Sequence, residues 1–73
     1  MKLATFLKGK TPDDRAALAE RIGVTREALR KYEAGERIPR PAIAAKIKLA
    51  TGGAVTPDDL FASYQDARKA AVP

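Results

Sequence analysis

The sequence predicts an all-α fold, a compact bundle of about five short helices forming one domain over residues 1–73, and three observations predict it. Helix formers dominate, and the β-branched residues never alternate over a window of strand length. Turn signals at Gly9, Gly23, Gly35, Pro39, Gly52 and Gly53 cut the chain into pieces of helix length. With 73 residues and neither Cys nor His, the chain has no disulfide or zinc-type staple, so helix packing must supply its core.

The first helix runs from about Lys2 to Lys8, with Leu3, Phe6 and Leu7 on one face, and stops at Gly9. Its apolar stretch is broken at Lys8, too early for the hydrophobic region of a secretory signal. The second helix opens with Thr11-Pro12-Asp13-Asp14: a capping hydroxyl, a proline suited to the first turn, and two carboxylates at the positive helix end. Leu18, Ala19 and Ile22 form its apolar stripe, and Gly23 closes it. Thr25 caps a third helix only two residues later, so the two helices must meet at a steep angle with Val24 plugging the space between them. This places a helix-turn-helix over about 12–34.

On a wheel of roughly 100° per residue, the third helix (Thr25 to Ala34) divides into two faces. Ala28, Leu29 and Tyr32 fill an apolar arc, while Arg26, Glu27, Arg30 and Lys31 fill the opposite one. Gly35 ends the helix, and Glu36 to Pro41 make a basic, proline-stiffened loop. A fourth helix starts near Pro41, turns Ile43, Ile47 and Ala50 to the core, and ends at Gly52-Gly53. Thr56-Pro57-Asp58-Asp59 repeats the earlier capping string and opens a fifth helix with Leu60, Phe61 and Tyr64. Residues 65–73 follow, as a helical extension or a frayed tail.

Lys and Arg number 14 against 9 Asp and Glu, a formal charge of +5 with an isoelectric point near 9.9, which favours polyanionic partners. Catalysis is poorly served. There is no Cys or His, the only serine is Ser63, and no glycine-rich phosphate loop accompanies it. The carboxylates have no metal-binding spacing, so no enzyme activity, metal or cofactor is expected. No apolar run approaches the roughly 20 residues of a membrane span, and the absence of cysteine fits the cytoplasm, with nucleoid association when DNA is bound.

Reading duplex DNA requires a thin rigid element in the major groove flanked by groups that hold phosphates, and the third helix with its surroundings offers both. Arg26 and Lys31 can bond guanine, Glu27 can accept from a cytosine amino group, and Arg30 can reach a base or a phosphate. Thr25, Arg15, Arg37 and Arg40 are placed to hold the backbone on either side. The plainer reading of the same face is a solvated surface on which Glu27 and Lys31 form an i,i+4 pair. Tyr32 lies on the docked side and belongs to the core.

The run Arg15-Ala16-Ala17-Leu18-Ala19-Glu20-Arg21-Ile22-Gly23-Val24-Thr25, followed by Leu29 and by Tyr32-Glu33-Ala34-Gly35 through to Pro39, resembles the Cro and lambda-repressor-like (XRE-type) helix-turn-helix regulators. Ala50 to Thr56, with Asp59-Leu60, resembles the segment after the fourth helix in the small Cro-like, YdaS-type branch found in prophages and bacterial chromosomes. The resemblance spans about residues 3 to 61. It implies a lambda-repressor-like DNA-binding domain with base contacts from Arg26, Glu27 and Lys31 and with Arg30 beside them. It also implies phosphate contacts from the start of the second helix and from the loop after the third. Glu33 would form a structural ion pair with Lys8 and stay out of the DNA site. The acidic pair Asp13-Asp14 departs from the usual pattern and puts more weight on Arg15. Such regulators bind palindromic operators as dimers, so a homodimer on DNA is implied. Leu49 and the Leu60, Phe61, Tyr64 group are candidates for its surface, or else complete the core.

The expected function is sequence-specific repression of transcription, by steric exclusion of polymerase from a palindromic operator. The alternative is a protein-interaction module, such as an antitoxin-like partner, built on the same fold.

Overall fold

The computed structural model describes residues 1–71, and among them five helices and no strand are found: α1 (Leu3–Leu7), α2 (Pro12–Ile22), α3 (Arg26–Ala34), α4 (Pro41–Ala50) and α5 (Pro57–Ala71). The starts of α2, α3 and α5 and the ends of α2 and α3 have local chemical causes. Before α2, the Thr11 hydroxyl accepts from the Asp14 amide at 3.1 Å while the Asp14 carboxylate accepts from the Thr11 amide at 3.3 Å, so two free donors are satisfied reciprocally. The repeated string works the same way before α5, where Thr56 and Asp59 exchange bonds of 3.2 and 3.0 Å. Thr25 caps α3 by accepting from the Ala28 amide at 3.0 Å. At the other ends, Gly23 and Gly35 stand at φ +75° and +76°, the left-handed conformation that turns the chain out of α2 and α3.

Leu3, Leu7, Leu18, Ala19, Ile22, Leu29, Tyr32, Ala44, Ile47, Val55 and Leu60 form one buried cluster drawn from all five helices and the α4–α5 connection. α1 is one residue shorter at each end than the spacing suggests, yet Leu3 and Leu7 are fully buried and Phe6 packs beside them. On α4 the buried positions are Ala44 and Ile47, with Ile43 and Ala50 only partly covered, so the helix is rolled from the face expected. The connection to α5 contains a small polar anchor that the sequence reading passed over. The buried Thr51 hydroxyl donates to the Ile47 carbonyl at 2.8 Å and accepts from the Val55 amide at 3.1 Å, drawing Val55 completely into the core.

Leu60 is buried and therefore completes the core instead of offering a dimer surface, and Tyr64 is half-buried. Beyond it, α5 continues as helix to Ala71; residues 72 and 73 of the expected tail lie outside the described residues. The extension packs on the end of α3: a Cβ placed on Gly35 would collide with the Ser63 carbonyl oxygen and lie 3.0 Å from the Ala67 Cβ. Two ion pairs fasten α5 to the start of the chain, Met1 ammonium to Asp59 at 2.8 Å and Lys2 to Asp66. The hydrogen bond from that ammonium, followed by the Thr56 amide, holds the Asp59 carboxyl down at about 2. No described helix is long and apolar enough to cross a membrane.

Gly35 and Gly9 make a matched pair, since both have positive φ but a Cβ on Gly9 meets nothing within 4 Å. Gly9→Ala should cost about 1 kcal/mol, the strain of a left-handed alanine, whereas Gly35→Ala should cost about 2 kcal/mol or more because the collision adds to it. Chemical denaturation of the two variants measures the difference, and equal losses would mean that α5 does not press on the α3 terminus.

Candidate nucleic-acid interface

Between Ile22 and Arg26 only Gly23, Val24 and Thr25 intervene. The Gly23 amide bonds back to the Ala19 and Glu20 carbonyls and the Val24 amide to the Ala19 carbonyl at 3.0 Å, so the turn is closed by the last turn of α2 itself. Val24 packs on the core as the expected plug. α3 then docks through Leu29 and Tyr32, which are 2% and 8% exposed, with Ala28 partly covered beside them. Its opposite face carries Arg26, Glu27 and Arg30, all exposed, and Lys31 at the margin, half-buried.

Arg26, Glu27 and Arg30 line one shallow depression together with Arg15 and Leu29. Arg37 and Arg40 line a separate hollow with Tyr32, Ile38 and Ile43, on a loop held by the buried Pro39. Lys31 joins neither group. The exposed Thr25 accepts the Ala28 amide proton through its hydroxyl oxygen, which leaves the O–H free to donate outward at the start of α3.

Two pairings differ from those expected. Glu33 does not pair with Lys8: its carboxylate takes the guanidinium of Arg15, which also donates to the Leu7 carbonyl at 3.3 Å. The reason is position. Arg15, in the first turns of α2, lies against the end of α1 and opposite α3, whereas Lys8 stands exposed beyond the last turn of α1. The side chains of Arg15 and Glu33 are only 33% and 19% exposed, so the weight that the acidic start of α2 puts on Arg15 falls on a residue already tied into the scaffold.

Glu27 pairs with Arg30 instead of Lys31. Arg30 Nε and Nη2 donate to the two carboxylate oxygens at 3.2 and 2.8 Å, and Arg30 Nη1 lies 3.4 Å from the Glu36 carboxylate. The two-pronged guanidinium matches both oxygens of a carboxylate, which an ammonium at i,i+4 cannot do. The Arg30 hydrogen bond lowers the Glu27 carboxyl from its usual range, and the bond from Glu27 raises Arg30, so both stay charged. Glu36 was absent from the residues singled out by sequence; it lies six positions along the chain from Arg30 and across the end of the helix, a juxtaposition that helical spacing does not reveal.

A model of the Helix-turn-helix family matches residues 7–60, from the end of α1 to the first turn of α5. Comparison with curated proteins finds no match, and comparison with solved structures finds none either.

The Arg15–Glu33 pair joins α2 to α3 at a partly buried place, while the Glu27–Arg30 pair lies in solvent along one helix. Glu33→Ala should therefore destabilise the fold by about 1–3 kcal/mol, as expected for a lost hydrogen bond between charged groups. Glu27→Ala should cost much less, because its pair with Arg30 lies in solvent. Urea titrations of both variants decide this, and a Glu33 loss as small as that of Glu27 would remove the pair from the supports of the fold.

Proposed function

The chain belongs to the XRE-type helix-turn-helix family of DNA-binding transcription regulators, which is not a family of enzymes, and from that premise we propose that it represses transcription by binding a specific palindromic operator as a homodimer. The observation that carries the reading is the two-sided α3: Leu29 and Tyr32 seal it to the core while Arg26, Glu27 and Arg30 stand exposed on its outer face. In this reading Arg26, Glu27, Arg30 and Lys31 meet base edges in the major groove. Thr25, Arg37 and Arg40 hold phosphates on either side, Thr25 through its free O–H, and Arg15 adds whichever N–H groups its bond to Glu33 leaves. The net charge of +5 supplies the long-range attraction that brings such a face to a duplex. Of the apolar residues considered for pairing two chains, Leu49 and Phe61 are exposed, 79% and 49%, and are the ones a dimer would cover. Repression would follow from occupancy of a promoter, by exclusion of polymerase.

In vitro selection of duplexes from a random pool, at near-physiological salt, should enrich one palindrome, and sedimentation with that duplex should give two chains per site. Log affinity should fall with log salt at a slope of about −0.9 for each phosphate held. Arg26→Ala and Lys31→Ala should relax the preference by about 1–3 kcal/mol at particular base pairs, whereas Arg37→Ala should weaken all sequences alike. A pool that stays random, with binding only at low salt, would leave a non-specific basic surface and turn attention to protein partners. Equal, sequence-independent losses from all three variants would displace base reading from α3.

A further inference from the structure

We propose that Glu27 and Glu36 act as positioning residues, holding Arg30 so that the end of its guanidinium reads one guanine; this rests on the DNA reading given above and replaces, at Glu27 alone, the base contact assigned to it there. The stereochemistry of Arg30 carries the inference. A guanidinium has five N–H donors in one plane, one on Nε and two on each Nη. Glu27 takes Nε–H and one Nη2–H, at 3.2 and 2.8 Å, which together form the side edge of the group. The end edge, one N–H from Nη1 and one from Nη2, makes no hydrogen bond among the described residues, with the Glu36 carboxylate 3.4 Å from Nη1, and those parallel donors match the O6 and N7 acceptors of guanine in the major groove.

The carboxylate of Glu27 is correspondingly ill-placed to read a base. Both of its oxygens already accept from Arg30, and an unpaired carboxylate beside a duplex would be repelled by phosphates. Paired, it is neutralised and becomes the strut of its neighbour. Glu36 completes the arrangement from beyond the end of α3. Its amide donates to the Lys31 carbonyl at 2.9 Å across the left-handed closure at Gly35, which fixes its backbone, and its carboxylate flanks Arg30 Nη1 at 3.4 Å. Arg30 is thus held between a residue one turn behind it and a residue beyond the helix end. Part of the rotamer entropy that a free arginine would lose on binding is removed before DNA arrives.

The test uses the full chain and the selected duplex, together with duplexes altered one base pair at a time and a random duplex. Proteins compared are the unaltered chain, Arg30→Lys, Glu27→Gln, the double variant of these two, Glu36→Gln, and Glu20→Gln as a control for loss of an exposed negative charge. The unaltered chain should prefer guanine at one position by about 5- to 100-fold, the range of a good two-pronged contact. Arg30→Lys, which keeps the charge but lacks the fork, should lose that preference, and Glu27→Gln should lose most of it at the same base pair. The double variant should lose no more than Arg30→Lys alone. Glu36→Gln should bind random duplex more tightly and lose a smaller part of the same preference, while Glu20→Gln shows only the tighter random binding. The inference is overturned if Glu27→Gln changes preference at a different base pair, if the two losses multiply in the double variant, or if Arg30→Lys leaves every preference intact. Glu36→Gln behaving like Glu20→Gln would remove Glu36 from the arrangement. A pool without an enriched sequence would take away the DNA reading itself, a failure distinguishable from all of these.

Discussion

Because only Gly23, Val24 and Thr25 separate α2 from α3, the direction of α3 is dictated by how α2 ends. Gly23 reverses the backbone at φ +75°, Val24 is drawn inward, and Thr25 must at once cap the next helix. A longer connection would let α3 swing, and its docked residues would then compete among several seats on a small core. With the short one, Leu29 and Tyr32 have a single place to go, and the opposite face of α3 is presented outward as a consequence of packing. The partly buried pair of Arg15 with Glu33 adds a second constraint from the far side of the turn, and the bond from Arg15 to the Leu7 carbonyl brings α1 into the same joint.

A core of eleven buried apolar residues has little surplus, so backbone polar groups near it have to be satisfied locally. The chain does this with side chains three or four residues away. Thr11, Thr25 and Thr56 each bond an amide at a helix start, and Thr51 carries the chain from the end of α4 into Val55. Among the described residues no buried side-chain polar atom is left without a partner. Such local solutions cost little ordering entropy beyond that of the helices themselves, which matters when the total is small.

The same locality explains which features could be read from sequence. Helix starts at Thr11, Thr25 and Thr56 and closures at Gly23 and Gly35 depend on residues within a turn of one another, and they fall where the sequence places them. The docked face of α3 was legible because Ala28, Leu29 and Tyr32 stand out against charged neighbours. On α4 that contrast is missing: alanines and isoleucines surround much of the helix, so the wheel could not choose between Ile43 and Ala44 for the deepest position. Ion pairing was least legible. Glu33 meets Arg15 across eighteen positions, through a crossing of helices that no spacing rule contains. Glu27 had basic neighbours at both i+3 and i+4, and the choice fell to the forked group over the point charge.

Within the proposed mode of binding, the division of labour among basic residues follows the rigidity of what carries them. Phosphates recur along a duplex and tolerate a contact displaced by an ångström, so a loop can serve them, and Arg37 and Arg40 lie on a loop held mainly by the buried Pro39. Base edges tolerate much less, because a donor moved by that distance meets a different acceptor pattern. The residues assigned to them stand on α3, whose two ends are capped and whose inner face is sealed. A flexible arginine on a rigid helix would still forfeit part of that advantage in its own side chain. The carboxylates on either side of Arg30 extend the rigidity of α3 from the backbone to the guanidinium, where specificity would have to be exerted.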